Sequence, residues 1–276
     1  MTIKYIPTWY YQQFDADYSL EIPAEGYGGW KKQTLPLDPE KTAIVVMHAW
    51  DCGTYEQYPG WHRAVEYIPR SKKIAEEVFS VLLPEARNNG MNVFHLTNGS
   101  EYGHSFPGYK IAQEICKKHS ADIQYPKLPP PAIDKTSKLL KTFKSENSFV
   151  GLHNEKDIEI GKGNMGFPVE AIPVGSEPVV ENSEQLHAVC LENNINHLIY
   201  IGFAINWCLQ HSEGNMNDMH SRGFLCSTIR EAVTAVENKK SARTEANKEH
   251  GLWVTAVQNG FVYDLDDFLS MFKKQG

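Results

Sequence analysis

The sequence predicts an α/β fold in which helices cover both faces of a mostly parallel β-sheet. Residues 42–48 form a continuous apolar run, which is typical of a parallel strand buried on both faces. Residues 71–87 then carry apolar side chains at helical spacing, and residues 88–90 (Asn-Asn-Gly) end that segment. Because such strands and helices alternate, we expect a three-layer α-β-α arrangement with Rossmann-type topology.

Apolar runs, and the Gly, Pro and polar residues that interrupt them, predict the strands and helices in most of the remaining chain. A Ser or Asn before a helical pattern is a cap candidate, so we expect Ser183 and Asn206 to begin helices and Gly223 to end one. The predicted strands are residues 42–48, 91–97, 177–180, 198–201, 224–229 and 261–263. The predicted helices are residues 71–87, 110–119, 184–193, 208–222, 244–256 and 266–272.

Two segments do not follow this alternation. Residues 1–40 are rich in Tyr, Trp, Pro and Gly, and so many aromatic side chains predict an ordered arm that packs on the body or on a second subunit. Residues 99–172 hold Gly, Pro, Lys and scattered aromatics without a long core pattern. We therefore expect an N-terminal arm (1–40) and one domain (41–276) with an insertion at about 99–172.

The amino-acid composition limits the kinds of partner that we expect for this protein. The 276 residues include 27 Lys and Arg against 34 Asp and Glu, and this net charge of −7 argues against a nucleic-acid partner. No apolar run has the length of a membrane span, and the N-terminus lacks the apolar core of a signal peptide. The five cysteines form no CxxC pair. We expect a cytoplasmic protein with reduced thiols and a small-molecule ligand, without a membrane partner.

Cys208 is the first candidate for chemistry. It follows an apolar strand (198–201), Gly202 and a short turn, so it is expected in the first turn of a helix capped by Asn206. Unpaired backbone N–H groups and the helix dipole would favour a thiolate there, which indicates a nucleophile. The alternative is a buried structural thiol. Ligands of parallel sheets bind beyond the carboxyl ends of the strands, where His48 and Glu181 are also expected.

Residues 198–209 (LIYIGFAINWCL), 222–232 and 42–51 resemble the isochorismatase-like cysteine hydrolases, which include nicotinamidases and carbamoyl amidohydrolases. The resemblance covers roughly residues 41–98 and 173–265. It implies the same fold, a homo-oligomer, and hydrolysis of a small amide, carbamoyl or related substrate. It also implies attack by Cys208, an oxyanion hole formed by the backbone N–H groups of Ala204 and Cys208, and a cis peptide between Phe203 and Ala204.

The side chains expected around the thiol depart from the family pattern. His48 stands where the family has its Asp, followed by a retained Trp50 and Asp51. An imidazole can accept a thiol proton near neutral pH, so His48 is a candidate catalytic base, and Asp51 a candidate to orient it. The alternatives are a core histidine for His48 and a local cap for Asp51. If the altered residues remove hydrolysis, the chain is an inactive relative that binds a small ligand or builds an oligomer.

Candidate substrate contacts follow from the same alignment. Glu181 or Asn182 occupies the position of the family Lys, and Trp207 adjoins the thiol. For Glu181 and Asn182 the alternative is an ordinary loop before a helix. We expect no cofactor. We also expect no metal, because Glu101 and His104, with His95 upstream, do not make a zinc site.

Overall fold

A computed structural model of the protein describes residues 3–97, 99, 101–121, 123 and 132–273. Within these residues one sheet of eight strands forms the centre of the molecule. The strands are β1 (Lys4–Gln12), β2 (Gly29–Leu37), β3 (Thr42–Met47), β4 (Asn92–Leu96), β5 (Val179–Val180), β6 (His197–Phe203), β7 (Leu225–Thr234) and β8 (Val262–Tyr263). Their order across the sheet is β2-β1-β8-β7-β6-β3-β4-β5.

Helices follow or connect most of these strands. The α-helices of the described residues are α1 (Pro59–Ala64), α2 (Ile68–Ile74), α3 (Ser80–Asn88), α4 (Pro107–Lys118), α5 (Lys135–Asn147), α6 (Glu155–Lys162), α7 (Ser183–Glu192), α8 (Cys208–His211), α9 (Met216–Ser221), α10 (Ala246–Val254) and α11 (Leu265–Ser270). A π-helical segment (Ala75–Phe79) joins α2 to α3.

The predicted three-layer fold with a mostly parallel sheet is confirmed. Strand β3 pairs in parallel with β4 and β6, and β4–β5, β6–β7 and β7–β8 are parallel as well. Ile44 and Val46 of β3 pack into one hydrophobic cluster, with α3, whereas Val45 and Met47 pack into another, with α7 and α9. Successive side chains of a strand face opposite sides, so the sheet lies between two helical layers.

The aromatic arm is part of the sheet. Strands β1 and β2 form an antiparallel hairpin, and β1 pairs with β8 at Trp9 and Val262. The Trp9 indole N–H donates to Asp264 Oδ2 over 2.8 Å, and Lys32 Nζ lies 2.6 Å from the same oxygen. The sequence allows two expectations for the arm, packing on the body of its own chain or on a second subunit. The structure shows the first: the arm adds two strands to the sheet of its own chain.

The predicted insertion contains α4, α5 and α6, while residues 100, 122 and 124–131 lie outside the described residues. Helix α4 packs against α7 and α6 packs against α1. No residue of α5 is buried in the core. Its apolar side chains Leu139, Leu140 and Phe143 are each more than 60 % exposed. Sequence alone located only α4, because α5 and α6 lack a continuous apolar face of core length.

Three local predictions about helices were wrong. The helix predicted at 208–222 is two short helices, α8 and α9, separated by residues 212–215. Asn206 does not cap α8; its side-chain amide instead exchanges two hydrogen bonds with the backbone of Val236. Asn182, rather than Ser183, caps α7. No helix among the described residues is long and apolar enough to cross a membrane.

Candidate active site

The carboxyl end of β6 is shaped by a close strand contact. Gly202 has a φ of +122°, and a Cβ there would collide with the carbonyl oxygen of Met47 on β3. Only glycine combines this backbone conformation with such an approach. The following peptide, Phe203–Ala204, is cis, as the resemblance implies. The chain then leaves the sheet in the turn that carries the thiol.

Cys208 begins α8, and Ala204 anchors the turn before it. The carbonyl oxygen of Ala204 accepts hydrogen bonds from the N–H groups of Trp207 and Leu209, each over 3.1 Å. Burial raises the pKa of the Cys208 thiol, while hydrogen bonds from the Ser212 side chain and from the backbone of Ala204 and Cys208 act in the opposite direction. The shift is opposite in direction to the one expected at a helix start, because burial outweighs the backbone groups of a four-residue helix.

Cys208 lies in the wall of a cavity of about 400 Å³, here called the thiol cavity. Five aromatic side chains dominate its lining, two of which (Phe149 and Trp207) meet edge to face at 5.4 Å. Its lining residues are Trp50, Trp61, Ala64, Val65, Glu66, Tyr67, Phe149, Val150, Ile158, Lys162, Trp207, Cys208 and Val236. Burial raises the pKa of Tyr67, and the nearby Cys208 adds to the shift.

His48 is buried at the end of β3 in a left-handed conformation, with a φ of +51°. Its backbone N–H donates to Leu96 O over 3.0 Å, which fixes the residue to β4. Burial lowers the pKa of the imidazole to about 4, so His48 is neutral at pH 7. Its Nε2 is buried without a hydrogen-bond partner. In the part of the chain that the structure describes, the hydrogen bonds of the Cys208 thiol involve Ser212 and the backbone of Ala204 and Cys208 rather than His48, and His48 is not among the residues that line the thiol cavity.

Asp51 is engaged in a local turn rather than with His48. Its Oδ1 accepts the backbone N–H of Gly53 over 2.8 Å and lies 3.8 Å from Lys72 Nζ. Its backbone forms two hydrogen bonds with Gly166. Asp51 lines a separate cavity of about 260 Å³. Asp51 therefore does not orient His48, because its carboxylate binds the backbone two residues further along the chain. These contacts match the alternative prediction, a local cap.

Glu181 and Asn182 follow β5 and have structural partners. Glu181 accepts from His104 Nε2 over 2.6 Å and from the Tyr109 hydroxyl over 3.2 Å; these three residues are here called the Glu181 cluster. The side chain of Asn182 accepts the backbone N–H of Gln185 over 3.0 Å. Neither Glu181 nor Asn182 is among the residues that line the thiol cavity, whereas the third predicted substrate contact, Trp207, is.

Two of the residues considered for a metal, His95 and His104, bind to carboxylates of the protein instead. His95 Nε2 lies 2.8 Å from Glu177 Oε2, and Arg87 donates to both oxygens of the same carboxylate over 2.6 and 2.9 Å. His104 belongs to the Glu181 cluster. Among the described residues, no three His, Cys, Asp or Glu side chains are grouped so that they could hold a metal ion.

Several residues of the cavity were missed from sequence. Trp50 could have been found, because it lies two residues after His48 in the motif that carried the resemblance. Phe149 and Lys162 come from the insertion, where no period marks them. Lys141 and Lys144, two other cations of the insertion, are exposed on α5, and neither is among the residues that line the thiol cavity.

The fold and the site thus define a class of protein: an α/β protein with a mostly parallel sheet and a cysteine in the turn after a central strand. No family model and no curated protein matches the chain. Solved structures similar to it include a cysteine hydrolase from Pseudomonas syringae pv. phaseolicola 1448A, with a TM-score of 0.48 and 13 % identity over 86 % of this chain and 95 % of that one.

Two further similar structures have related descriptions. One is an isochorismatase-like hydrolase from Alkaliphilus metalliredigens (TM-score 0.46, 14 % identity, 86 % of this chain and 100 % of that one). The other is an N-carbamoylsarcosine amidase from Thermoplasma acidophilum (TM-score 0.41, 14 % identity, 86 % and 99 %). At this level of similarity, the chemistry of the chain has to be argued from its own residues.

Proposed function

We propose that the protein is a cysteine-dependent hydrolase of a small amide, carbamoyl or related substrate, with Cys208 as its nucleophile. One observation carries the proposal: the thiol lies in the wall of a 400 Å³ cavity, within reach of the backbone of Ala204 and Cys208 itself. A nucleophile beside N–H groups that can hold an oxyanion is the arrangement that acyl transfer requires. The sequence resemblance to cysteine hydrolases supports the same reaction.

The reaction has two steps. The Cys208 sulfur attacks the carbonyl carbon of the amide, the C–N bond breaks, and the thiol proton goes to the nitrogen that leaves as ammonia or an amine. The N–H groups of Ala204 and Cys208 would stabilise the negative oxygen of the tetrahedral intermediate. Water then attacks the resulting thioester, which releases the carboxylic acid and returns the thiol its proton.

In this proposal His48 takes the thiol proton during attack. Burial holds Cys208 as a thiol and the His48 imidazole neutral, with a pKa of about 4, so the resting pair carries no charge. Its unpaired Nε2 is an available proton acceptor. Hydrogen bonds of catalytic groups often form only when substrate is bound, so the proposal does not require a hydrogen bond between His48 and Cys208 in the resting protein.

Alkylation by iodoacetamide tests both roles. The rate of modification is measured from pH 6 to 10, and the modified cysteine is located by mass spectrometry. We expect Cys208 to react before the buried Cys190 and Cys226, with a rate that still rises above pH 9 because its pKa is raised. Labelling of Cys208 no faster than those buried thiols would contradict the nucleophile.

The proton acceptor is tested with a matched pair of histidine variants. His48→Ala should slow alkylation of Cys208 at neutral pH, whereas His197→Ala should not. His197 is also buried, with a pKa of about 4, but bonds to Ser227 at 2.8 Å. Equal rates for wild type and His48→Ala would remove His48 from the mechanism and leave Cys208 as the nucleophile.

The raised pKa of Cys208 also favours a second function. A thiol with a raised pKa and no hydrogen-bonded base also suits an inactive relative that binds a small ligand. This alternative predicts that small amides raise the melting temperature of the protein, while no ammonia is released in a screen of amides and ureido acids. Release of ammonia that is lost in Cys208→Ala would exclude it.

The setting of the protein is part of the proposal. We infer a cytoplasmic homo-oligomer: all five cysteines are free, and Leu139, Leu140 and Phe143 expose an apolar face on α5 that a second subunit could cover. Light scattering coupled to size exclusion measures the mass. A mass of one chain, about 31 kDa, at micromolar concentration would contradict the oligomer.

A further inference from the structure

We propose that helix α5 of one copy of the chain docks on the loop that joins β1 to β2 in a second copy. This loop, residues 13–28, is here called the hairpin loop. The inference rests on the homo-oligomer of the proposed function and deepens it, because it names the two surfaces that meet. The observation behind it is complementarity: both surfaces expose apolar side chains, and the charged groups around them have opposite signs.

Helix α5 presents a narrow apolar strip between lysines. Leu139, Leu140 and Phe143 lie within an arc of roughly 100° around the helix axis. The lysines recur at every third position, and steps of about 60° spread them over half of the helix circumference. All four are exposed, and none forms an ion pair with another described residue. They are Lys135, Lys138, Lys141 and Lys144. Helix α5 is therefore a basic amphipathic helix whose apolar strip faces solvent.

The hairpin loop is held in shape by its own contacts. The backbone N–H of Asp17 donates to Pro23 O over 2.9 Å, which joins the two sides of the loop. A Cβ at Gly26 would lie 2.7 Å from the Cβ and the backbone nitrogen of Asp17, so glycine is the residue that fits there. These contacts fix the surface that the loop presents to solvent.

This surface is apolar and acidic. Phe14, Tyr18 and Ile22 are each more than half exposed, which indicates a contact surface. The loop contains four carboxylates and no Lys, Arg or His. All four carboxylates are exposed, and none forms an ion pair with another described residue. They belong to Asp15, Asp17, Glu21 and Glu25.

The two surfaces lie at opposite edges of the sheet. Strand β1 runs antiparallel to β8, so the hairpin loop follows β1 beyond the amino ends of the parallel strands. Helix α5 ends two residues before Phe149, which lines the thiol cavity beyond the carboxyl ends. One chain therefore does not bring its own α5 and hairpin loop together, whereas a second copy can. Both segments lie outside the part of the chain that carries the sequence resemblance, so the resemblance gives no expectation for this contact.

The charges decide which surfaces meet. Two α5 helices placed face to face would set lysines against lysines, and two hairpin loops would set carboxylates against carboxylates. Such like-charge contacts cost free energy, whereas α5 against the hairpin loop pairs opposite charges around the exposed apolar side chains. The apolar contact supplies affinity, and the charges supply orientation. Two unlike surfaces close either as a twofold pair, with two such contacts, or as a ring.

Charge reversal tests the pairing. The α5 variant carries Lys135→Glu, Lys138→Glu and Lys141→Glu. The loop variant carries Asp15→Lys, Glu21→Lys and Glu25→Lys, and it keeps Asp17 because this residue joins the two sides of the loop. Light scattering coupled to size exclusion should give each variant the mass of one chain, about 31 kDa. In an equimolar mixture of the two variants, every α5 again meets a hairpin loop of opposite charge, so the mass of the oligomer should return.

A matched control separates this effect from a general loss of positive charge. Lys239→Glu/Lys240→Glu changes two exposed lysines outside both surfaces, and its mass should equal that of the wild type. Two results would overturn the inference and leave the homo-oligomer standing: an oligomer that persists in the α5 and loop variants, or a mixture that stays at the mass of one chain. A wild type with the mass of one chain would contradict the homo-oligomer as well, while ammonia release tests the hydrolase separately.

The apolar strip is tested independently of the charges. Leu140→Ser/Phe143→Ser should also reduce the mass to that of one chain, whereas Val169→Ser, at an exposed apolar residue outside both surfaces, should not. Vesicles that contain phosphatidylserine test the other occupant of a basic amphipathic helix. Suppose that the wild type sediments with these vesicles, that the α5 variant does not, and that the wild type in solution has the mass of one chain. These results together would assign α5 to an anionic membrane and overturn the inference.

Discussion

The thiol cavity and the Glu181 cluster both lie beyond the carboxyl ends of strands in the same mostly parallel sheet. They differ in whether their reactive groups already have hydrogen-bonding or charged partners. In the Glu181 cluster, each carboxylate oxygen already accepts a hydrogen bond from His104 or Tyr109. In the thiol cavity, most lining residues are aromatic or aliphatic, and no charged group of the described residues contributes to the pKa shift of the Cys208 thiol. A position at a strand end therefore does not identify a site unless an unused reactive group meets an open cavity.

Burial also has opposite outcomes at Cys208 and at Glu177, which lies before β5. For Cys208, burial prevails and the pKa of the thiol rises. For Glu177, which precedes β5, burial alone would raise the pKa, but hydrogen bonds from His95 and Arg87 lower it to about 2. The difference is the presence of partners for the charged form. Substitutions should therefore change chemistry on the thiol side and stability on the β5 side.

The largest expected effect is the loss of hydrolysis in Cys208→Ala. If Cys208 is the nucleophile, as proposed, the variant should release ammonia from a small amide at least about a thousandfold more slowly than the wild type. Cys116→Ala is the control, since this partly buried thiol on α4 is not among the residues that line the cavity. A Cys208→Ala protein with more than a tenth of the wild-type rate would show that the thiol is not used.

A large stability effect is expected on the β5 side. Glu177→Gln removes the charge shared by Arg87 and the buried His95, so the free energy of unfolding should fall by about 3 kcal/mol at pH 7. Urea unfolding measures it. Glu192→Gln is the control, because Glu192 also pairs with a lysine and a histidine, but at the surface. Equal unfolding midpoints for the two variants would contradict the buried network.

The next effect depends on pH and involves the thiol side. The pKa of His48 is lowered to about 4, so the unfolded chain binds its proton first as the pH falls. Stability should therefore decrease between about pH 6.5 and 4, by roughly 3 kcal/mol for this group. His95 and His197 shift in the same direction, so single variants are needed to separate them.

The measurement is urea unfolding at pH 7 and pH 5 for wild type, His48→Gln and His197→Gln. Each variant should lose less stability between the two pH values than the wild type does. The lowered pKa of Glu177 does not interfere, since its contribution is present above about pH 4.5 and lost only as the pH falls toward 2. Identical pH dependence in all three proteins would contradict neutral buried histidines.

The smallest effect is expected for Glu181→Gln. The amide can still accept from Tyr109, and His104 is 40 % exposed, so stability should change by less than about 1 kcal/mol. Hydrolysis of the same small amide should stay within about twofold of the wild type. A tenfold change in kcat/KM would mean that Glu181 contacts the substrate, and the contrast between the two regions would then be wrong.

The sequence located the sheet, the thiol and one wall of the site because these depend on local patterns. Continuous apolar runs mark parallel strands, and Gly202 before Cys208 marks the turn. The partners could not be predicted in the same way. Asp51 is close to His48 in sequence but turns back to Gly53, while Phe149 reaches the cavity from an insertion without a period. Contacts between distant segments depend on packing, which spacing along the chain does not record.

The hairpin of β1 and β2 has a practical consequence for handling the protein. Strand β8 is only two residues long, and β1 lies between it and the solvent. Truncation at residue 40 would leave β8 and the longer β7 as an open edge, to which other chains can add. Expression of residues 41–276 alone should therefore yield aggregates, and affinity tags are better joined to the intact N-terminus, where β2 already ends the sheet with exposed lysines.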